Sequence, residues 1–482
     1  MNSARITLLE SQDHQLRNYL QSHPGGHERA AVVLFRRLHR AIDGLPSSDR
    51  YIAVEVHPFE EAWITSSSSS HIAFELKYLR EYFRRCDEES LVFGFVHSHP
   101  AGFPEFSDVD EENERTLLGA LSNRNGHAIH FVALLWTKDA WKARVRHGQI
   151  PHQAEPARHI LITSRPLKMF GWDSETMENE DMFARQAAAF GRPFVKQLQS
   201  LRVGVVGAGG TGSPTVTLLA RAGVGEIIIV DSDNLENSNL NRVRGAFFGD
   251  VGKNKAHVLQ DFVRALGLPT KIVGFETLID NDPAAIDALS SCDFIFGCTD
   301  DQIGREILNT AVYVYAQPYV DVGLGGQVSN DRDGRPYLRY HHGRVSTILP
   351  EEGECLFCQG VIRADWIQHQ YALRENPLMD PAEAKDRYLE GGGEQAPGVG
   401  PFTSAVADYG VATLFDLLKP FRKFPSELRW DAFSLDFVKM GQRSRQERND
   451  AECPYCRKKE YLLLKEKYRL NRPMLGKPDA AK

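Results

Sequence analysis

The string HSHPAGFPEFSDVD, which runs from His97 to Asp110, holds two histidines and an aspartate at a spacing that suits a metal ion. It follows LVFGFV, an apolar run typical of a β-strand. Alternate side chains of a strand point to the same side, so His97 and His99 can reach one metal. Asp110 can add a third ligand from a helix that begins near Ser107, which leaves a fourth tetrahedral position for water. The spacing therefore predicts a catalytic zinc site.

The motif resembles that of the JAMM (MPN⁺/JAB) metalloproteases, which cleave peptide and isopeptide bonds after the C-terminal glycine of ubiquitin or a relative. The resemblance covers residues 10 to 150 in round numbers. It implies that the zinc ligands are His97, His99 and Asp110. It also implies that the hydroxyl of Ser107 stabilises the tetrahedral oxyanion.

The same resemblance implies a catalytic glutamate, which takes a proton from the attacking water. In the family this residue begins an apolar strand upstream of the histidines. Glu28, in HERAAVVLF, matches that position, although the glycine that often follows it in the family is missing. Glu55, in YIAVEVHPF, is the alternative, and we prefer Glu28.

A second group of residues is typical of a nucleotide site. In VGVVGAGGTGS a strand-like run leads through four glycines into a helix-like stretch, the glycines being Gly207, Gly209, Gly210 and Gly212. Such glycines let the backbone approach a phosphate, and the helix N-terminus favours its charge. Asp231 ends the next strand-like run, so the pattern also fits an NAD-dependent dehydrogenase. The glycines alone leave both alternatives open.

The residues after this turn favour a triphosphate. Asn239, Arg242 and Lys255 lie on the way into the next predicted helix, where a dehydrogenase needs no such cations. Asp300, in CTDD, follows a strand-like run at the edge where open parallel sheets bind ligands, a suitable place for a magnesium contact. The combination predicts a reaction that displaces pyrophosphate from ATP.

This set resembles the ThiF-type adenylyltransferases, the superfamily of the ubiquitin-activating enzymes and of the enzymes that activate sulfur-carrier proteins. The resemblance covers residues 175 to 465 in round numbers. It implies a ribose contact at Asp231 and a magnesium or phosphate contact at Asp300. The triphosphate ligands that it implies are Asn239, Arg242 and Lys255.

The ThiF resemblance also concerns the oligomeric state. Arg185, in MFARQAAAFG, matches the arginine of the family's Arg-Gln element. In symmetric members that arginine reaches into the partner subunit, which implies a homodimer. The cofactors implied for this half are ATP and magnesium.

Four of the seven cysteines form two Cys-x-x-Cys pairs, Cys355 with Cys358 and Cys453 with Cys456. In a chain expected to be cytoplasmic, such pairs suggest a metal before a disulfide. Four thiolates make a closed, structural zinc site, and ThiF-type proteins commonly carry one in this order along the chain.

Ubiquitin-activating enzymes use a cysteine nucleophile between those pairs, but no cysteine lies between Cys358 and Cys453 here. The nearest hydroxyls, Thr403 and Ser404, are more simply interpreted as N-cap residues of a helix. The remaining cysteines are interpreted as packing residues: Cys86, Cys292 and Cys298. The chain either stops at the acyl-adenylate and passes it to a cysteine elsewhere, or forms an oxyester.

The elements around these motifs predict two α/β domains. Strand-like and helix-like runs up to about residue 150 are typical of a mixed α/β fold, and residues 151–181 are polar and punctuated by prolines, as in a linker. Alternating strands and helices after Leu201 predict a parallel sheet covered on both faces. We therefore expect a JAMM-type zinc hydrolase domain at 1–165 and a Rossmann-like, doubly wound ThiF-type domain with a structural zinc at 166–482.

The amino-acid composition of the chain argues against two classes of partner. The chain has 57 lysines and arginines against 64 acidic residues, a net charge of −7, which argues against a nucleic-acid partner. No apolar run approaches the roughly 20 residues of a membrane span, and the start lacks the layout of a signal peptide. We expect a cytoplasmic protein with no membrane partner.

Together these features predict a fusion that processes and activates a ubiquitin-like or sulfur-carrier protein. The zinc peptidase would trim the carrier or remove it from targets, and the second domain would adenylate its C-terminal glycine. The adenylate would then serve a conjugating enzyme in a bacterial ubiquitin-like system, with antiviral defence as one expected role. The alternative is sulfur transfer for cofactor or metabolite biosynthesis. A zinc peptidase fused to an NAD-dependent dehydrogenase, and a non-catalytic carrier-binding scaffold, are more remote alternatives.

Overall fold

The computed structural model of the protein describes residues 3–171, 180–375, 398–444 and 450–463. Its contacts separate two compact units. The first unit comprises residues 1–42 and 46–176, and the second comprises residues 43–45 and 177–482.

The first unit is built on a nine-stranded mixed sheet with the order β11-β10-β1-β3-β2-β6-β7-β8-β9, beside a two-stranded β4-β5 hairpin. Its strands are β1 (Ser3–Leu9), β2 (Ala30–Arg40), β3 (Ser48–Pro58), β4 (Ile64–Ser68), β5 (His71–Phe74), β6 (Val92–Ser98), β7 (His130–Trp136), β8 (Trp141–His147), β9 (Ala154–Pro156), β10 (His159–Thr163) and β11 (Lys168–Phe170). Its helices are α1 (Glu10–Leu20), α2 (Arg80–Glu88) and α3 (Asp108–Asn125). Short 3₁₀ helices cover Glu61–Trp63 and Leu76–Leu79.

Both faces of this sheet are covered, which explains why the central strand β2 is a continuous apolar run rather than an alternating one. On one face α1 packs on a core that includes Ala31, Val33 and Phe35. On the other face α2 and α3 pack on a core that includes Ala30, Val32 and Leu34. The second core holds α3 against the strands that carry the two histidines of the predicted zinc site.

The stretch predicted as a linker contains three strands of this sheet, β9, β10 and β11. β10 pairs in parallel with β1, and β11 pairs antiparallel with β10. The expectation of a linker was wrong here because the apolar residues of β10 are buried in the unit. The predicted boundary at 165/166 falls between two paired strands, whereas the compact units divide after residue 176.

The second unit contains an eight-stranded sheet with the order β14-β13-β12-β15-β16-β17-β18-β19. Its strands are β12 (Arg202–Val206), β13 (Glu226–Val230), β14 (Lys271–Phe275), β15 (Phe294–Gly297), β16 (Tyr319–Asn330), β17 (Pro336–Ile348), β18 (Ala432–Asp436) and β19 (Gly441–Ser444). Its helices are α4 (Ala184–Phe190), α5 (Arg192–Ser200), α6 (Gly212–Arg221), α7 (Lys255–Ala265), α8 (Pro283–Ser290), α9 (Gln302–Val314), α10 (Ala364–Glu375) and α11 (Gly400–Leu418). Short 3₁₀ helices cover Glu180–Phe183, Asn237–Asn239 and Phe248–Asp250.

Five neighbouring strands of this sheet are parallel, as expected for a Rossmann-like fold: β14, β13, β12, β15 and β16. Strands β17, β18 and β19 extend the sheet beyond β16 by antiparallel pairing. The chain passes from β12 outward to β13 and β14 and then returns to β15 on the other side of β12. The strand order therefore reverses between β12 and β15, and ligands of open α/β sheets bind at such a point. In the described parts of the chain, no helix is both long and apolar enough to cross a lipid bilayer.

Candidate functional site

The two histidines and the aspartate of the first unit lie together. His97 is at the end of β6, His99 follows that strand, and Asp110 is in the first turn of α3. The Nε2 atom of His97 lies 3.0 Å from Oδ1 of Asp110 and 3.3 Å from Nε2 of His99, and Nε2 of His99 lies 3.3 Å from Oδ2 of Asp110. All three side chains are buried. One atom of each residue lies within 4.8 Å of the others, close enough for one ion.

The chemistry of these donors fits zinc. Nδ1 of His99 lies 3.1 Å from the carbonyl oxygen of Phe103, and since a carbonyl only accepts, this nitrogen carries the proton. Nε2 of His99 is then free to bind a metal, and such an outer hydrogen bond is usual for metal-ligating histidines. Nδ1 of His97 is buried and has no hydrogen-bond partner among the described atoms. Two imidazole nitrogens and one carboxylate form a donor set that zinc accepts.

Ser107 fixes the aspartate. It is the N-cap of α3, and its hydroxyl accepts a hydrogen bond from the backbone N–H of Asp110. The same hydroxyl lies 2.8 Å from Oδ2 of Asp110, to which it donates, and the backbone N–H of Ser107 donates to that oxygen at 2.7 Å. The capping motif thus orients Asp110. The predicted oxyanion role of Ser107 stays a prediction, because its hydroxyl is engaged with Asp110 in this structure.

The structure separates the two glutamates considered for the base. Oε1 of Glu28 lies 3.9 Å from Nε2 of His99, and the side chain is 4% exposed. Burial raises the pKa of Glu28 to about 7, against the opposing effect of the two histidines. Glu55 instead forms an ion pair with Arg85 at 2.7 Å and contacts His57 at 2.8 Å. Geometry therefore favours Glu28, two residues before β2, as the carboxyl group beside the histidines.

In the second unit, the glycine turn follows β12 at the point where the strand order reverses. Gly207 has a φ of +95°, and a Cβ atom there would lie 2.6 Å from the carbonyl oxygen of Cys298. A Cβ on Gly212, the first residue of α6, would lie 1.8 Å from the carbonyl oxygen of Gly207. A Cβ on Gly209 would meet nothing within 4 Å. The turn is thus closed on the sheet side and open at Gly209, where a phosphate can approach the backbone.

Arg242 lies beside this turn. A Cβ on Gly210 would lie 3.2 Å from Cδ of Arg242 and 3.0 Å from Cγ2 of Thr403. The Arg242 guanidinium donates to the carbonyl oxygen of Ser238 at 2.6 Å. The predicted N-cap role of Thr403 and Ser404 was wrong, because α11 begins at Gly400, its N-cap is Val399, and the two residues already lie inside the helix. The Thr403 hydroxyl donates to the Gly400 carbonyl oxygen at 3.0 Å.

Asp231 follows β13 and holds the glycine turn. Its Oδ2 accepts a hydrogen bond from the Ala208 N–H at 2.5 Å, and its Oδ1 accepts one from the Asp233 N–H at 2.8 Å. Burial raises the pKa of Asp231 above its ordinary value, although these hydrogen bonds oppose the shift. Lys255, the first residue of α7, places Nζ 2.8 Å from Oδ2 of Asp233. The structure therefore brings Asp231 and Lys255 to the same sheet edge.

Sequence reasoning missed Asn254, which joins these two residues. It is the N-cap of α7, and its side-chain oxygen accepts from the Ala256 N–H at 2.9 Å. Its Nδ2 donates to the carbonyl oxygens of Asp231 at 3.0 Å and Asp233 at 3.1 Å. An asparagine directly before a helix-like stretch is an N-cap signal, so its place in KNKAHV could have identified it.

The other predicted nucleotide ligands differ in their surroundings. Asn239 is buried, and its Oδ1 accepts from the Glu236 N–H at 3.1 Å. Asp300 is exposed on the loop after β15, next to the reversal point. Arg185 is exposed on α4, and no hydrogen bond or ion pair joins it to the glycine turn within the described residues. Asn239 and Asp300 thus lie on the connections that follow β13 and β15, whereas Arg185 lies on α4, before β12.

The two cysteine pairs meet although they are far apart in sequence. The sulfur atoms of Cys355 and Cys453 lie 3.5 Å apart, as do those of Cys358 and Cys456. All four lie within 4.8 Å of one another. Zn–S bonds of ~2.3 Å place the sulfurs of a tetrahedral site ~3.8 Å apart, so the cluster fits a zinc ion. The spacing is too long for disulfides, whose sulfurs lie ~2.05 Å apart.

The single cysteines are buried, as expected of packing residues: Cys86, Cys292 and Cys298. Burial raises the pKa of Cys86 and that of Cys298 to about 12. Neither thiol is a thiolate near neutral pH, so neither is an activated nucleophile.

Comparisons with known proteins identify the second unit. A family model described as the ThiF family matches residues 183–455. The probable adenylyltransferase/sulfurtransferase MoeZ of Mycobacterium tuberculosis (strain CDC 1551 / Oshkosh) is 39% identical over 125 residues, which are 26% of this chain and 32% of MoeZ. The sulfur carrier protein ThiS adenylyltransferase of Escherichia coli (strain K12) is 29% identical over 136 residues, 28% of this chain and 54% of that protein.

The matched segments thus span between a third and just over half of the length of these relatives. The crystal structure of E. coli MccB with ATP is similar at a TM-score of 0.42 and 20% identity, and the match covers 58% of this chain and 75% of MccB. The family match begins at residue 183, so the JAMM resemblance of the first unit stays a prediction. The family model covers more than half of the 482 residues, and the chain belongs to the ThiF family.

Proposed function

We propose that the second unit binds ATP and magnesium and adenylates the C-terminal glycine of a sulfur-carrier or ubiquitin-like protein. The observation that carries this proposal is the glycine turn at the reversal point of the sheet, open at Gly209 and flanked by Asp231 and Arg242. Helix α6 begins directly after the turn, and its N-terminus favours a phosphate. The ThiF family match supports the same activity.

Different residues of the chain are assigned to the ribose and to the triphosphate of ATP. Asp231 is assigned to the ribose, and Asn239, Arg242 and Lys255 to the triphosphate. The carrier's carboxylate oxygen attacks the α-phosphorus, a new O–P bond forms, and the bond to the β-phosphate oxygen breaks to release pyrophosphate. Cations beside the triphosphate stabilise the charge that develops on the leaving group. Asp300 is assigned to holding the magnesium ion, which would neutralise phosphate charge when bound.

For the fate of the adenylate, sulfur transfer has more support than conjugation. The relatives' names refer to a sulfurtransferase and to the sulfur carrier protein ThiS. The segment between Cys358 and Cys453 contains no cysteine that could form the thioester of a ubiquitin-activating enzyme. Conjugation through a separate enzyme, including a role in bacterial defence, stays the second candidate.

Two further assignments complete this unit. Arg185 is exposed and unpaired within the described residues, which supports a role across the interface of a homodimer. The cluster of Cys355, Cys358, Cys453 and Cys456 is assigned to a structural zinc, whose closed set of four thiolates would tie two distant segments together.

Adenylation is tested by ATP–pyrophosphate exchange on the full chain. The probes are small β-grasp proteins ending in glycine, recovered from the native cells by capture on the His97→Ala variant with ATP and magnesium. We expect exchange that requires the carrier's terminal glycine. Sulfide would then give a thiocarboxylate if the carrier serves sulfur transfer, and mass spectrometry would detect it. Tight NADH binding without exchange would instead support the dehydrogenase alternative.

For the first unit we propose a zinc-dependent peptidase that acts on the same carrier. The observation that carries it is the buried set of His97, His99 and Asp110, with Glu28 3.9 Å from His99. Zinc bound there would polarise the scissile carbonyl and lower the pKa of water. Glu28 is assigned to accepting and returning the proton, and Asp110 is held by Ser107.

The peptidase proposal is tested with a carrier extended beyond its C-terminal glycine, or joined there to a lysine side chain. We expect cleavage after the glycine that stops on removal of the metal with a chelator and returns with zinc. Cleavage that survives in the His97→Ala variant would show that another site, or a contaminant, is responsible.

A further inference from the structure

The helix that carries Asp110 is fastened to the sheet by four charged residues, which we call the α3 clamp: Glu111, Glu114, Arg144 and Arg146. Nε of Arg146 lies 2.8 Å from Oε2 of Glu114, and Nε of Arg144 lies 3.0 Å from the same oxygen. Both guanidinium groups also contact Glu111 at 2.5 Å. Glu111 and Glu114 thus each bind both arginines of β8.

The inner pair of the clamp is buried, whereas Glu111 at its outer side is 27% exposed. The side chain of Arg146 is 0% exposed and that of Glu114 is 1% exposed. Glu111 also contacts Arg115 of α3 at 3.3 Å, so each carboxylate of the clamp is paired with at least two arginines. A buried ion cluster is on average no more stabilising than apolar packing of the same volume, because burial costs its charges their hydration. Such a cluster does, however, set the orientation of its side chains, because each planar guanidinium group holds the carboxylates that it binds in one geometry.

The clamp holds α3 on both sides of the aspartate. Glu111 directly follows Asp110, and Glu114 lies one helical turn beyond it. On the other side, the guanidinium of Arg144 lies 4.0 Å from the ring centre of Phe106, which precedes the N-cap of α3. The Phe106 ring in turn lies 6.1 Å from the ring of His97. A shift of either arginine would therefore move the first turn of α3 relative to the histidines.

We propose that Arg144 and Arg146 are positioning residues that set the distance of Asp110 from His97 and His99, and thereby the zinc affinity of the site. This inference rests on the proposed zinc site of the first unit. Removal of hydrogen-bonding partners around metal ligands typically lowers metal affinity ~10- to 100-fold. The clamp extends that role to the helix as a whole, because it binds the residues on either side of the ligand rather than the ligand itself.

The test measures zinc affinity of the full chain by competition with a chromophoric chelator. The Arg146→Met variant is compared with wild type. Each protein is also measured with the added change His97→Ala, and the zinc that this background still binds is assigned to the cysteine cluster and subtracted. We expect a ~10- to 100-fold loss of affinity at the histidine site and a changed visible spectrum of the Co²⁺-loaded protein. The matched control is Arg84→Met, which removes an arginine that binds Glu81 and Glu88 on the exposed face of α2.

The Arg146→Met variant leaves Glu114 buried beside one arginine instead of two and could fail to fold. The double variant Arg146→Met with Glu114→Gln removes both charges of one pair, and we expect it to show the same loss. Unchanged zinc affinity and an unchanged Co²⁺ spectrum in a folded variant, whatever its thermal stability, would overturn the inference. Equal metal binding by wild type and the His97→Ala variant would instead refute the zinc site itself.

Discussion

Gly212 and Gly207 approach so closely that a Cβ on Gly212 would lie 1.8 Å from the carbonyl oxygen of Gly207. The first turn of α6 therefore rests directly on the end of β12. This contact fixes where the helix N-terminus stands relative to the sheet edge. The position of the proposed phosphate site thus depends on a glycine that need not touch the nucleotide.

Two glycine variants should separate stability from nucleotide binding. Gly212→Ala would force the turn apart, and we expect a loss of ~1–3 kcal/mol in the free energy of unfolding of the second unit, with no ATP–pyrophosphate exchange. Gly209→Ala adds a Cβ in open space, so we expect unchanged stability and weaker ATP binding. Calorimetric unfolding and ATP titration measure the two effects. Equal unfolding midpoints for Gly212→Ala and wild type would contradict the packing argument.

Lys255 should matter for catalysis more than its neighbour Lys253. The side chain of Lys255 is 12% exposed beside Asp233 at the sheet edge, whereas that of Lys253 is 61% exposed beside Asp250. We expect Lys255→Ala to slow pyrophosphate exchange ~10²-fold, because a cation is lost from the proposed triphosphate site. Lys253→Ala is the control and should leave exchange near the wild-type rate. Similar losses of exchange in both variants would contradict the assignment of Lys255 to the triphosphate.

Glu28→Gln should abolish the proposed peptidase activity without releasing zinc. A positioned general base contributes ~10²- to 10⁴-fold, and the neutral amide cannot accept the proton. The control is Glu55→Gln, since Glu55 is already bound to Arg85. Cleavage rates and zinc content are measured together. Loss of activity in Glu55→Gln, with Glu28→Gln still active, would reverse the assignment of the base.

The cysteine cluster should contribute stability and not chemistry. We expect Cys355→Ser to lose about one equivalent of zinc and to lower the unfolding temperature of the second unit, because a tetrahedral site needs all four thiolates. Cys292→Ala, at a buried cysteine outside the cluster, should keep the zinc. Elemental analysis of both variants measures the zinc content and tests this prediction. A zinc-free wild-type protein of normal stability would disprove the structural role.

Glu306 should make the second unit less stable as the pH rises. Burial raises its pKa from 4.5 to about 7, so between these values the folded protein binds a proton that the unfolded chain has released. Stability from this group is present below pH 4.5 and is lost towards pH 7. We expect Glu306→Gln to gain ~2–3 kcal/mol more over wild type at pH 8 than at pH 5. Unfolding curves at both pH values test this, with Glu276→Gln, whose side chain is 53% exposed, as the control.

Local patterns were sufficient for the sites whose parts are close in sequence. The glycine turn after β12 and the histidines at the end of β6 follow from spacing alone, because a strand end and a helix start are defined by a few neighbouring residues. The boundary of the first unit was not recoverable in this way. Residues 151–181 are polar in composition, and only the pairing of β10 with β1 reveals that residues 159–163 belong to the sheet.

The sequence by itself was sufficient to predict the donor residues of the two candidate metal sites, the glycine turn after β12 and the two pairs of cysteines. Tertiary structure decided which carboxylate stands beside the histidines. Glu28, before β2, lies 3.9 Å from His99, whereas Glu55, inside β3, is bound to Arg85 at 2.7 Å. It also brought the sulfur of Cys355 to 3.5 Å from that of Cys453. In the first unit it placed Arg146 of β8 against Glu114 of α3, the helix that carries Asp110. These contacts join residues distant in the chain, and their geometry comes from the packing of whole elements rather than from local spacing.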